Sequence, residues 1–322
     1  MENPGNLHAP TSFNGIAGYE ALKKGAALVD LSHRILFRLA GKNSTGMLNA
    51  VLTNVVPEGD NLGAYAALLN PKGRIQTDLR VLKADGEVFV DAEPEGAEAA
   101  REILGRYAPF SRVKVEDLSE SSWDILGLYG PRAGELLGNL RLAEHQSARI
   151  EVAESTRVLA VGVATPVPGF DLLGPADTLR FISEHLLDSG AILASYDAYE
   201  TARVVAGVPR FGADITPENF PAEAGILERA VSFEKGCYPG QETVARMHYR
   251  GHPNKTLHHL VVNGPSPVPG TPITQDEKQV GMITSTAPLP IDGKILALGH
   301  LSRNTNTAAP LSAGEATILL AP

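Results

Sequence analysis

The order in which strand-like and helix-like runs follow one another constrains this 322-residue chain more than any single motif. Residues 14–24 place Ile16, Tyr19, Ala21 and Leu22 on one helical stripe, with Gly25 to end it. Residues 27–32 and 35–39 read as strands meeting at a turn, and residues 41–45 cap a helix that runs to Val51. Strand-like runs over 64–70, 75–83 and 87–91, joined by Asn-Pro-Lys-Gly and Ala-Asp-Gly turns, lead to a helix over 97–107. Strand, helix, two or three strands, helix, strand is the order of a split βαβ, or ferredoxin-like, unit, with helices on one face of an antiparallel sheet. A comparable order recurs: strands over 123–129, 157–163 and 170–173, and helices over 131–140, 175–187 and 195–206. From His252-Pro253 onward, Pro253, Pro265, Pro267, Pro269, Pro272, Pro288 and Pro290 punctuate short β-type runs over 257–262, 279–286, 295–301 and 316–320, which suits a small β-barrel or sandwich. The expectation is an α+β protein with units at 1–120, 121–252 and 253–322, preceded by a loose Pro- and Asn-rich arm over 1–11.

Composition narrows the chemistry. A net charge of −9 disfavours broad adhesion to nucleic acid or anionic membrane, although a small anionic ligand is compatible with it. One cysteine forbids an intrachain disulfide, and with no leader or spanning apolar run the expected setting is reduced and cytoplasmic. There is no His-Glu-x-x-His pair or second cysteine for a metal site, and no glycine-rich nucleotide cradle.

The single cysteine stands in Lys235-Gly236-Cys237-Tyr238-Pro239-Gly240-Gln241-Glu242, followed by Arg246. Glycines leave this backbone free to approach a ligand, and Lys235 is placed to favour thiolate, so Cys237 reads as an exposed functional thiol. His248 is the nearest histidine after the loop, but spacing does not say whether it faces the sulfur. The stretch from Thr243 to Gln275 carries no Asp or Glu and is basic through Arg246, Arg250 and Lys255.

This loop resembles the signature of the YgfZ family, folate-binding proteins associated with iron–sulfur cluster maintenance. The likeness extends along the chain: Leu28-Val29-Asp30-Leu31-Ser32, Asn70-Pro71-Lys72-Gly73-Arg74, the run from Arg203 to Asp214, and Pro221-x-Glu223-Ala224-Gly225 are similar to the aminomethyltransferase superfamily, whose best-known enzyme is glycine-cleavage T-protein. The resemblance implies a three-part ring with tetrahydrofolate in a central channel and a C-terminal β-barrel. By position it assigns Asp171 to grip the pterin through two parallel N–H bonds. Arg203 pairs with the pterin carbonyl or an acidic neighbour, and Asp91 is a further contact. Lys235, Arg246 and Arg250 are alternatives for the glutamate tail of folate. The enzymes carry an Asp-Asp pair where this chain has Thr77-Asp78, and they lack the cysteine loop. The resemblance therefore implies a tetrahydrofolate-binding accessory protein for iron–sulfur client or assembly proteins, with Cys237 as its thiol. The alternative is a folate-dependent aminomethyltransferase with Asp78 as the key carboxylate.

Overall fold

The structure, a computed structural model, describes residues 15–119, 121–152 and 156–321, and all counts and absences below refer to these. The expected arm over 1–11 lies outside them. In chain order, α1 (Gly15–Lys24), β1 (Ala27–Asp30), β2 (Ile35–Ala40), α2 (Ser44–Val51), β3 (Ala64–Leu69), β4 (Ile75–Ala84), β5 (Glu87–Ala92), α3 (Pro94–Ser111) and β6 (Lys114–Asp117) come first. Then follow β7 (Trp123–Tyr129), α4 (Ala133–Leu136), β8 (Ser147–Val152), β9 (Thr156–Val163), β10 (Gly169–Pro175), α5 (Ala176–Asp188), β11 (Ile192–Leu193) and α6 (Tyr196–Val205). The last third holds α7 (Leu227–Ala230), α8 (Gln241–Arg250), β12 (Lys255–Asn263), β13 (Pro272–Gln275), β14 (Lys278–Thr286), β15 (Ile295–Ser302), β16 (Leu311–Ala313) and β17 (Ala316–Leu320).

Two open sheets, ordered β3-β4-β5-β2-β6 and β11-β1-β7-β10-β9-β8, lie face to face, and β12-β15-β14-β13-β16-β17 close into a barrel. Closure leaves the barrel no free edge to protect. The two-residue period of a strand explains the layering. On β4, Leu79 and Val81 pack with Leu48 of α2 and Leu104 of α3, while Leu82 and Ala84 turn to the opposite face. There they meet Ile125 and Tyr129 of β7, Leu159 and Val161 of β9, and Leu173 of β10, so one apolar layer joins the sheets. The outer face of the second sheet is covered by Leu179, Ile182 and Leu186 of α5, which recur at helical spacing.

Sheet membership crosses residue 120. The runs expected to meet as paired strands at 27–32 and 35–39 are β1 and β2, which sit in different sheets. Ala27, Leu28 and Val29 are all fully buried, and a strand hidden on both faces fits only inside a sheet; β1 lies between β11 and β7. The helix expected over 131–140 is a single turn, because Gly138 and Asn139 both take positive φ and end it. The Asp85-Gly86 pair, both at positive φ, closes the β4–β5 hairpin as its sequence requires. No helix among the described residues is long and apolar enough to cross a membrane.

Candidate functional site: a charged cleft between the sheets

At one end of the inter-sheet layer the same strand faces turn from apolar to charged. Asp78 and Arg80 continue the Leu82 side of β4, Asp91 the Phe89 side of β5, Asp171 the Leu173 side of β10, and Gly127 and Tyr129 the Ile125 side of β7. Asp78, Arg80, Tyr129 and Asp171 line an open cleft of about 870 Å³, its solvent-filled mouth included, together with residues of α6 and of the loop after it. Placed polar groups among aromatic walls give it the character of a small-ligand site.

Asp171 is 1% exposed. One carboxylate oxygen accepts the Tyr129 hydroxyl hydrogen bond. The other, Oδ2, forms an ion pair with Nη2 of Arg80 at 2.6 Å yet receives no well-directed hydrogen bond, while the Nε–H of Arg80 donates to Asp91. Gly127 makes this arrangement possible. It pairs directly across from Asp171, and its missing side chain leaves room for the Tyr129 ring, whose Cε2 would lie 2.3 Å from a Cβ there. Tyr129 stacks on Tyr199 of α6 at 5.4 Å between ring centroids. Burial first, and the Asp171 charge next, hold the Tyr129 hydroxyl well above its ordinary range, so it serves as a donor.

Asp91 is fully buried and does not line the cleft. It accepts from Nε of Arg34 at 2.7 Å and Nε of Arg80 at 2.6 Å. Burial pushes its carboxyl up, but the two guanidinium charges outweigh burial and hold it below the usual range. Asp91 therefore orients two arginines beneath the cleft and has no edge free for a ligand. Asp78 accepts the Tyr65 hydroxyl at 2.6 Å, and its carboxyl is pushed up to about 6, by burial above all and by the nearby Glu93 charge in part. It can hold or release a proton near neutrality.

Arg203 lines the cleft, but its donors are spent: Glu200 at 2.9 and 3.0 Å, the Val208 carbonyl at 2.6 Å, Asp214 at 2.7 Å and Ser285 of β14 at 2.8 Å. Of the two pairings the sequence allowed, the structure has the acidic neighbours. Arg203 with Asp214, whose Oδ1 accepts from Thr284 and whose carbonyl meets His300 at 2.9 Å, fastens α6 to the barrel.

The cysteine loop lies elsewhere. Cys237 is exposed and does not line the cleft. Lys235 donates to the carbonyls of Asn49, Leu52 and Asn54, which closes the C-terminal end of α2. Burial pushes its ammonium down to about 8, against three carbonyls that favour the charged form. So bound, Lys235 anchors the loop and is not free to meet a folate tail. Gly240, at φ 84°, packs on Gly73 of the β3–β4 turn so closely that a Cβ would be 2.8 Å from the Gly73 Cα. Arg246 is exposed on α8, and His248 stacks on Phe233 at 4.3 Å. The structure thus brings Asp78, Asp171 and Arg203 to one cleft, places Asp91 under it, and sets Lys235 and Cys237 apart on a loop docked to the first sheet, with Arg246 on the helix that follows.

Sequence reading missed Arg34, Tyr65, Arg80, Glu93, Tyr129 and Tyr199. For Arg80 a signal existed: it lies two residues from Asp78 on the same strand, and strand alternation puts both on one face. Among the described residues no group of three or more His, Cys, Asp or Glu side chains is placed to hold a metal ion.

The model of the GCVT N-terminal domain family matches residues 3–235. The fold is similar to the glycine cleavage system aminomethyltransferase T of Bartonella henselae, with TM-score 0.82, 22% identity, and coverage of 94% of this chain and 87% of that one. An aminomethyltransferase of Staphylococcus carnosus is 24% identical over 93% of this chain and 85% of its own length. A tRNA-modifying protein YgfZ of Cronobacter sakazakii is 28% identical, over 87% of this chain and 86% of its own. A putative chloroplastic transferase of Arabidopsis thaliana is 27% identical over 83% of this chain, which spans only 63% of the plant protein.

Proposed function

The chain belongs to the family of the GCVT N-terminal domain, and on that premise we propose that it binds tetrahydrofolate in the inter-sheet cleft, with Asp171 as the pterin acceptor. The observation that carries this reading is a carboxylate 1% exposed, at the edge of a cleft walled by stacked tyrosines, whose Oδ2 meets Arg80 as an ion pair but accepts no directed hydrogen bond. A buried acceptor without a directed donor is costly unless a ligand completes it, and the amino-pyrimidinone edge of a pterin offers paired N–H groups for a carboxylate. Tyr129 fixes the other oxygen, Arg80 balances the charge, and Asp91 holds Arg80. Calorimetric titration with tetrahydrofolate tests the reading: the wild type binds, and Asp171→Ala loses at least about tenfold in affinity while remaining folded. Equal affinity in the variant refutes it.

The role proposed for the bound folate is support of iron–sulfur proteins in the cytoplasm, with Cys237 as the thiol presented to a client or assembly partner. Its support is the exposure of Cys237 on a loop anchored at both ends, through Lys235 and Gly240, away from the folate cleft. Cys237→Ala, expressed in cells lacking the wild-type protein, should bind tetrahydrofolate normally yet fail to restore iron–sulfur enzyme activity; full restoration eliminates the thiol role. A second reading, one-carbon transfer from an aminomethyl or N-methyl donor, is favoured by Asp78, a buried carboxyl in the same cleft raised to about 6. Formation of methylenetetrahydrofolate from a carrier-bound aminomethyl donor, lost in Asp78→Asn, selects it.

A further inference from the structure

The chain carries 37 acidic residues against 28 lysines and arginines, yet the helix that follows the cysteine loop shows solvent a face of arginine and aromatic side chains. Of α8 only Val244 is buried, and it packs with Tyr238 in one core cluster. Arg246, Tyr249 and Arg250 stand on one exposed stripe, three and four residues apart. Tyr249 is 69% exposed, but it is held from behind. Its ring meets that of His248 edge-on at 4.7 Å and that of Phe233 at 5.7 Å, and those two stack at 4.3 Å. Phe233 packs against the same core cluster as Val244, so the aromatic group is a fixed platform. Arginines of other helices pair with acids of their own helix, Arg101 with Glu98, Arg106 with Glu102 and Arg132 with Glu135. Among the described residues Arg246 and Arg250 make no ion pair, although Glu242 stands one turn before Arg246. From Thr243 to Gln275 no acid offsets them.

We infer that this face of α8 is the docking surface for a protein partner that presents two carboxylates about one helical turn apart with an apolar side chain between them. The carboxylates meet the guanidinium forks of Arg246 and Arg250, and the apolar side chain covers Tyr249. Arginine and tyrosine on a rigid backing are the side chains that anchor protein interfaces. Charge complementarity chooses the partner. A single-stranded nucleic acid would also stack on Tyr249, but α8 is only about 15 Å long, and a polyphosphate running past it meets a body of net charge −9. A compact acidic segment of protein meets the two arginines and ends there. Because α8 begins directly after the cysteine loop, a partner seated along it has Cys237 at the N-terminal end of the same helix. The surface stands on these side chains; that its occupant is an iron–sulfur client or assembly protein rests on the reading of Cys237 above.

The test is fluorescence anisotropy of the full chain with a short labelled peptide in which Asp and Glu flank Leu and Phe. The body of the protein repels such a peptide, so binding reports the basic face alone. The wild type should bind it at low ionic strength, and Arg246→Glu with Arg250→Glu should weaken it at least about tenfold. Arg106→Glu with Arg132→Glu makes the same change in net charge elsewhere and should leave affinity within about twofold. Tyr249→Ala should weaken the peptide about fivefold and abolish its advantage over a peptide with Ser in place of Leu and Phe. Each substituted side chain is exposed, and an unchanged urea midpoint shows that the variants fold. No binding by the wild type, an equal loss in both double variants, or wild-type affinity in Tyr249→Ala overturns the surface. Oligouridylate bound more tightly than the peptide, and released by Arg246→Glu with Arg250→Glu, gives the face to nucleic acid and overturns it too, as does a wild-type dimer in sedimentation that the same variant dissociates. Peptide binding that depends on Arg246 and Arg250, in a protein whose Cys237→Ala variant fully restores iron–sulfur enzyme activity, keeps the surface and removes the thiol role. Failure of Cys237→Ala to restore that activity, with no peptide binding by the wild type, does the reverse.

Discussion

Placing a methyl group at Gly127 should do disproportionate damage, and the geometry says how much. An ideal Cβ there would lie 2.3, 2.7 and 2.8 Å from Cε2, Cζ and Oη of Tyr129, and those are its three nearest atoms. Carbon atoms in contact sit about 3.5–4.0 Å apart, so the ring must recede by more than about 1 Å. Tyr129 is 1% exposed and stacked on Tyr199, so it has no free space to enter. Overpacking of this kind costs about 1–3 kcal/mol. Withdrawal of the hydroxyl from the Asp171 carboxylate costs a further 1.5–3 kcal/mol or so, as for other hydrogen bonds to charged groups. Gly127→Ala should therefore destabilise by about 3–6 kcal/mol in the wild-type background. In a Tyr129→Ala background the ring is gone, and the same change should cost less than about 1 kcal/mol, because alanine is otherwise the better strand residue. The sole tryptophan, Trp123, lies on the same strand and stacks on Phe89 at 5.6 Å, so its fluorescence reports the transition during urea denaturation. A coupling between the two substitutions of at least about 2 kcal/mol is the expected result. Equal costs in both backgrounds would show that Gly127 is not there to seat Tyr129.

Asp78 should leave a pH signature. With its carboxyl raised from 3.8 to about 6, the native state binds the extra proton between those values, so stability should fall as pH rises from about 4 to 6, by about 3 kcal/mol at most. Asp78→Asn, which retains an acceptor for Tyr65, should flatten that slope in denaturation curves taken across the range; an unchanged slope removes Asp78 as its source. Asp91→Ala, by leaving Arg34 and Arg80 facing each other without their shared anion, should cost about 3–5 kcal/mol, and a loss below about 1 kcal/mol would mean that neither arginine depends on it. Lys235→Met should leave three carbonyls at the end of α2 unbonded, raising hydrogen exchange there and mobilising the Cys237 loop without weakening tetrahydrofolate binding. Weakened folate binding in that variant would place Lys235 in the ligand site after all.

Much of the fold was legible because it rests on local periodicity. Leu79 and Val81 against Leu82 and Ala84 on β4, the Asp85-Gly86 turn, and the stripe of Leu179, Ile182 and Leu186 are each written in neighbouring residues. Short β runs between prolines left a barrel and a sandwich both open, and the family resemblance selected the barrel; β13 and β16, of 4 and 3 residues, are too brief to carry a periodic signal. Of the site, Asp171 and Asp78 could be picked out through the family resemblance, and Arg80 by its alternation with Asp78 on one strand. Glu93 could not, because a charged residue at a helix start ordinarily faces water.

The amino-acid order by itself determined the elements, the α+β class, the change to β structure after Pro253 and the unusual cysteine loop, all of which depend on residues close in the chain. Only the tertiary structure decided that β1 leaves its neighbour β2 for the other sheet, that Arg203 spends every donor inside the protein, and that Lys235 closes the end of a helix through carbonyls 181 to 186 residues earlier in the chain. It also decided which acidic groups became a site. Asp91 and Asp171 are chemically alike in sequence, but packing gives Asp91 directed hydrogen bonds from two arginines and no access to the cleft, whereas Asp171 shares Arg80 through an ion pair alone and lines the cleft, a difference in pairing that no local sequence pattern encodes.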